Sequence, residues 1–489
     1  MRDLADIAWA CHVLVSRRGG DRVQPFAGCA RDPYTGRLLP LDGTRCPWED
    51  EANALVVGFP AHRLLEAFRI WGWEEPAFVI DLYAEHRVVT NSFSDRTADP
   101  DVQEALSAWP TGVRYDDETA CDPLLSERHC KAVAKGLTHL LRTLEVDSGA
   151  ALRRGRYAIA AAAMQDHGFP ISEEFRDQAA KLYERLIAEE PDQLSQSLKD
   201  SISELGRLAD FPVSDDGRSR YELRPYAAVT GRNQPKKKHH AWDGGRCLIS
   251  PKPGRALAVI DYTAQEFGIA ANLSKDPAMI ADYYAGDAYR SFGQRVEVAD
   301  RSLLKRVFLP LMYGQPAVGI SKDVGIPLAL AQRFESTHRQ AYRMYWQWTE
   351  DAKRFFQTTG RLHSVFGWLL HGKPDTACPM KKRRRTVANF PVQANGTEIL
   401  WEACRRLHQE GIYLCGVNHD AVMIEAYSGD LADAVVLAES IMADASAEVL
   451  GRPLRTDTEI VGLGGRLAKG QRDWDRLQAA VGTLEAFAW

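Results

Sequence analysis

An excess of positive charge is missing from this chain: 61 Lys and Arg face 66 Asp and Glu, for a net charge of −5. Its net charge therefore gives no sign of a polyanion partner, and basic character has to be sought locally. The nine cysteines contain no C-x-x-C pair, so no zinc site is visible and free thiols in a reducing cytoplasm are expected. No apolar run approaches the roughly 20 residues that span a bilayer, which speaks against a membrane role. The opening Met-Arg-Asp-Leu-Ala-Asp lacks the form of a secretory signal. What remains is the composition of a soluble globular protein, 45% apolar and 26% charged. Its 489 residues are enough for two or three domains.

Basic charge is concentrated in two runs, Lys236-Lys237-Lys238-His239-His240 and Lys381-Lys382-Arg383-Arg384-Arg385. Such runs are ordinarily solvated loops, but a basic cleft on an acidic protein can still bind nucleic acid. Ala256 to Ile260 is a short apolar run after Pro253-Gly254, which predicts a buried strand with Asp261 at its end. A lone strand-end aspartate is ordinarily a helix cap. A second site has the same form: Tyr413 to Val417, then Asn418-His419-Asp420, then Ala421 to Ile424 predicts a hairpin with His-Asp at its turn. Two such carboxylates can hold two Mg²⁺ ions about 4 Å apart, the arrangement of phosphoryl transfer. Between them in sequence, residues 300–313 predict a helix with Arg301, Lys305, Leu309 and Tyr313 on one face. Two cations and a ring on one stripe suit a triphosphate and a base; a solvated basic face is the alternative.

The motifs Asp261-Tyr262-Thr263-Ala264-Gln265-Glu266, Arg301-x3-Lys305-x7-Tyr313-Gly314, Arg385-x3-Asn389-x3-Gln393 and His419-Asp420 together resemble DNA polymerase family A, nearest its shorter phage-type members. The resemblance covers most of the chain from about Leu152 onward. It implies a multidomain α/β and α+β protein, in which an RNase H-like domain precedes a right-hand polymerase. The expected parts are a 3′–5′ exonuclease-like domain over 1–148 and a helical thumb over 149–245. An antiparallel-sheet palm is expected over 246–275 and 386–489, and helical fingers over 276–385.

The resemblance also implies site roles. Asp261, Asp420 and the Tyr262 carbonyl would hold two Mg²⁺, with Mn²⁺ an alternative, and Lys305 would join the two acids in catalysis. The dNTP would meet Arg301, Lys305, Leu309, Tyr313, Glu266 and Tyr289. Glu266 would block a ribose 2′-OH, and Tyr262 would pack beneath the sugar. Primer–template DNA would meet Arg232, Arg385, Asn389, Gln393, His419 and Lys236, Lys237 and Lys238. A cytoplasmic monomer, in a bacterial or phage-infected cell, is the expected setting. A single-subunit RNA polymerase and a non-catalytic DNA-binding subunit of the same fold are the alternatives.

Several positions depart from the family pattern. Ala421 stands where many relatives have a third acid, and Leu309 where many have Phe or Tyr. Pro310 predicts a kink or break between Arg306 and Pro310. In the first 148 residues the exonuclease carboxylates are not found: no Asp-x-Glu follows an early strand, Pro60 and Leu64 fall where Asn-x3-Asp belongs, and 128–132 offers neither Tyr nor Asp. A retained fold without proofreading is expected there. Ser172 reads as a helix cap, and residues 360–368 as a hairpin. The rings between Leu328 and Gln357 read as core. The tail from Arg466 predicts a helix with no assigned role.

Overall fold

The structure is a computed structural model that describes residues 4–16, 20–91, 123–144, 146–188, 196–235, 241–372 and 380–487. Its first layer is a mixed five-stranded sheet of β1 (Ala8–Ser16), β2 (Gln24–Arg31), β3 (Leu38–Pro40), β4 (Leu55–Gly58) and β5 (Phe78–Asp81) in the order β3-β2-β1-β4-β5. β1, β2 and β3 pair antiparallel, whereas β4 and β5 run parallel to β1. Parallel pairing needs crossovers, and the Ala61–Ile70 helix supplies one between β4 and β5. All four β4 residues are buried, as expected for a strand covered on both faces.

The helix Ser148–His167 joins this layer to the rest of the molecule. A Cβ added at Gly155 would lie 1.8 Å from the Val79 carbonyl oxygen, so the helix rests directly on the β5 backbone. Behind it, Arg154 forms a buried two-pronged ion pair with Glu85, at 2.6 and 2.7 Å. One continuous apolar core runs from Leu55 and Ile80 through Tyr157 and Met164 to Val422 and Ile424. Among the described residues, this core is shared by both sides of residue 148.

The helix after Ser172 begins as the cap predicts, with the Phe175 N–H donating to the Ser172 hydroxyl at 3.2 Å. β6 (Phe169–Pro170) pairs with β7 (Arg218–Ser219) beneath the Glu173–Ala188 and Gln196–Ala209 helices. A second sheet follows from β8 (Arg255–Tyr262), and after a two-stranded hairpin of β9 (Arg361–His363) and β10 (Leu369–His371) come β11 (Leu414–Asn418), β12 (Ala421–Tyr427) and β13 (Thr456–Val461). The order is β11-β12-β8-β13, antiparallel throughout. Segments more than 150 positions apart thus meet edge to edge.

Six helices from Pro277 to Thr359 form a lobe beside this sheet. Its core is aromatic: Phe292, Phe308, Tyr342, Tyr345 and Trp346 surround a buried His338. Asp276 sets the lobe's angle with both carboxylate oxygens. Oδ1 caps the Pro277–Tyr284 helix through the Ala278 and Met279 N–H groups, and Oδ2 accepts from Met344 and Tyr345 at the start of the Arg343–Thr359 helix.

The break expected at Pro310 is not there. The Arg301–Met312 helix continues through the proline without interruption. Pro310 lies in the last turn, and its carbonyl accepts the Gln315 N–H at 2.9 Å while Leu311 accepts from Gly314 at 2.8 Å. With Gly314 at φ 72°, that is a Schellman termination, which uses the carbonyls that the end of a helix leaves open.

Candidate active site

Asp261 and Asp420 are brought together by strand register. β12 pairs with β8 so that Ala421 lies opposite Asp261, which sets Asp420, in the β11–β12 turn, beside the Asp261 carboxylate. The turn is tight because only His419 and Asp420 separate the strands, and His419 takes φ 58° to close it. Both carboxyls are held above the ordinary carboxylate range. For Asp261, burial is the main cause and the adjacent Asp420 adds to it; Lys469 and Lys305 pull the other way. For Asp420, burial again leads, opposed by Arg232. Two close acids that resist ionisation together fit a divalent cation, whose charge would relieve both burial and repulsion. Among the described residues, no group of three or more His, Cys, Asp or Glu could hold a metal.

Tyr262 does not lie beneath the cleft. Strand alternation turns it to the opposite face from Asp261, where it is 2% exposed and donates its hydroxyl hydrogen to the Met442 carbonyl at 2.7 Å. Its main chain alone stays beside Asp261.

Facing the two acids is the exposed side of the Arg301–Met312 helix. Leu304, Val307, Phe308, Leu311 and Met312 are buried, which leaves Arg301 and Lys305 outward and Leu309 and Tyr313 half-buried. Lys305 is close enough to act on Asp261. Arg301 is drawn instead to Asp287 at 2.6 Å, with its guanidinium 5.4 Å from the centre of the Tyr289 ring. Tyr289 is 7% exposed and packs edge-on against Phe308.

Glu266 ties three elements together. It accepts from Arg232 at 3.0 Å and from the Tyr313 hydroxyl. Arg385, Asn389 and Gln393 share one face of the Met380–Gln409 helix; Arg385 is exposed and the two amides are half-buried. Lys236, Lys237 and Lys238 lie outside the described residues. Two groups escaped the sequence. Lys469, in the first turn of the C-terminal helix, is close enough to act on Asp261, with no periodic signal to mark it. Asp457 on β13 is exposed and lies opposite Asp261 in register. Glu425 is structural, held by Arg218 at 2.8 Å and Arg255 at 3.2 Å.

The fold is that of a polymerase domain. A solved structure, the POL domain of Pol1 from M. smegmatis in complex with DNA primer-template and dNTP, has a TM-score of 0.73 over 94% of this chain and 95% of that one, at 16% identity. Residues 232–462 match the model of DNA polymerase family A, a little under half of the chain. The DNA polymerase of Mycobacterium phage L5 is 24% identical over 259 residues, 52% of this chain and 40% of that protein. That of phage D29 is 26% identical over 250 residues, 49% and 38%. The thermostable DNA polymerase I of Thermus aquaticus is 27% identical over 262 residues, 48% and 31%. The matched part is therefore less than half the length of each of these curated relatives. No described helix is long and apolar enough to cross a membrane.

Proposed function

We propose that the chain is a template-directed DNA polymerase that extends a primer 3′-OH with dNTPs. The observation that carries this is the meeting of Asp261 and Asp420 at the end of an antiparallel sheet, opposite a helix face bearing Lys305. Asp261, Asp420 and the Tyr262 carbonyl would hold two Mg²⁺ ions, which when bound neutralise charge on the attacking and leaving oxygens. Lys305 and Arg301 would bind the triphosphate and oppose the charge that develops on pyrophosphate. Arg301 would exchange Asp287 for phosphate on binding. Glu266, held from two sides, would stand against a ribose 2′-OH, and Tyr313 would stack near the templating base. Arg232, Arg385, Asn389, Gln393 and His419 would contact the primer–template, as would Lys236 to Lys238.

The N-terminal layer, in our assignment an RNase H-like domain over 1–148, would not proofread. β1 carries no Asp or Glu. Asp81 is wholly buried and caps the Leu82–Thr90 helix through the Tyr83 and Ala84 N–H groups. Residues 149–245 would be thumb, 276–385 fingers, and 246–275 with 386–489 palm.

Primer extension by the full chain with Mg²⁺, beside Asp420→Ala, tests the activity. Extension by the wild type alone is expected; equal and negligible extension by both would overturn it in favour of a binding subunit. Preference for ATP over dATP would point to RNA synthesis. Manganese-dependent loss of a primer 3′ end that disappears in Asp81→Ala would refute the absence of proofreading.

A further inference from the structure

Asn91 ends the Leu82–Thr90 helix of the N-terminal layer, far in sequence from every motif above, and it is wholly buried. Its amide nitrogen donates to two carbonyls, Val229 at 2.7 Å and Leu369 at 2.6 Å. Only a nitrogen can sit between two carbonyl oxygens, so the amide orientation is settled by its partners. Its own carbonyl accepts the His371 N–H at 2.9 Å. One residue thus holds both the β9–β10 hairpin and the strap at Val229.

That strap leads into the site. Val229 lies within a turn in which the Ala228 N–H donates to the Arg232 carbonyl at 3.0 Å and the Gly231 N–H to the Ala228 carbonyl at 2.8 Å. Gly231 has φ 77°, and a Cβ there would meet the Trp401 ring at 2.9 Å, so the turn has little room to shift. Arg232 leaves this turn to hold Glu266 at 3.0 Å. The Val229 carbonyl is also bonded by the Trp368 ring nitrogen at 2.9 Å. Two donors from separate elements converge on one carbonyl, three residues before the arginine that holds Glu266.

We propose that Asn91 is a positioning residue for the nucleotide site: through the Val229 carbonyl it fixes the turn that aims Arg232 at Glu266. The nuclease-like layer then serves the polymerase centre as its brace. This rests on the polymerase activity proposed above and on the sugar-sensing role of Glu266.

The test is the ratio of kcat/KM for dATP to that for ATP, measured on the full chain. Loss of folded enzyme scales both constants alike and leaves their ratio unmoved, so the ratio separates positioning from mere stability. Asn91→Ala removes the donor outright, and Asn91→Asp leaves at most one hydrogen where the amide has two. Trp368→Phe removes the second donor to the same carbonyl and keeps an aromatic ring, though a smaller one, so it serves if the Asn91 variants fail to fold. A fall in the ratio of about tenfold is expected in each variant that folds. An unchanged ratio in the folded variants, with the wild type active, would overturn the inference alone. No primer extension by the wild type would overturn the activity, and the inference with it.

Discussion

Tyr313 and Glu266, 47 positions apart, share a hydrogen bond across the mouth of the candidate site, with Arg232 on the other carboxylate oxygen. A helix terminus, a strand-following helix and a glycine turn are thereby referred to one carboxylate. A hydrogen bond to a charged group is worth about 1.5–3 kcal/mol. Tyr313→Phe keeps the ring and removes the donor, and it is expected to raise the KM for dNTP about tenfold with a smaller change in kcat. Steady-state extension of a defined primer checks this; an unchanged KM would contradict it.

Asp261→Asn and Asp420→Asn each remove half of the acidic pair. Primer extension is expected to fall by at least about a thousandfold, as when a centrally placed electrostatic group is lost. Mg²⁺ or Mn²⁺ should raise the thermal midpoint of the wild type by linkage, and chelation should abolish the gain. Both variants should lose most of that shift while folding normally. A divalent-ion shift of wild-type size in either variant would argue against the pair as the ion site.

Asp81 bears on stability through pH. Burial pushes its carboxyl up to about 7, against the hydrogen bonds from Ala61, Ala84 and Tyr83. The folded value lies above the unfolded value of about 4, so folding favours the protonated acid. The stability it contributes is complete below about pH 4 and is lost as pH rises towards 7. Asp81→Asn cannot ionise and keeps a capping oxygen, so the variant should lose this decline and gain on the order of 2 kcal/mol near pH 8. Denaturant unfolding at pH 5 and pH 8 checks it; parallel profiles would count against it.

Gly155 invites a substitution that helix propensity favours, because alanine in a helix interior ordinarily gains about 1 kcal/mol over glycine. Here the methyl group would be driven into the Val79 carbonyl, 1.8 Å away in the unrelaxed geometry. Gly155→Ala is therefore expected to destabilise by about 2–3 kcal/mol, the usual range for overpacking. A raised thermal midpoint would show that the helix can lift off β5 freely.

Local pattern alone determined a good deal here. The apolar run ending at Asp261, the His419-Asp420 hairpin and the Arg301–Met312 stripe depend on neighbours within a few residues, and periodicity and turn chemistry report such neighbours well. Tertiary structure decided the rest. Tyr262 went into the core because a second layer, contributed by residues 431–450, covers that face of β8. Pro310 left its helix whole because the Schellman bonds at Gly314 and Gln315 put it in the terminal turn, where its carbonyl is useful. Asn91, Lys469 and Asp457 carry no motif, and what matters about them is which distant backbone or carboxylate they meet. Register across a sheet and donors converging on one carbonyl exist only once the chain has closed on itself.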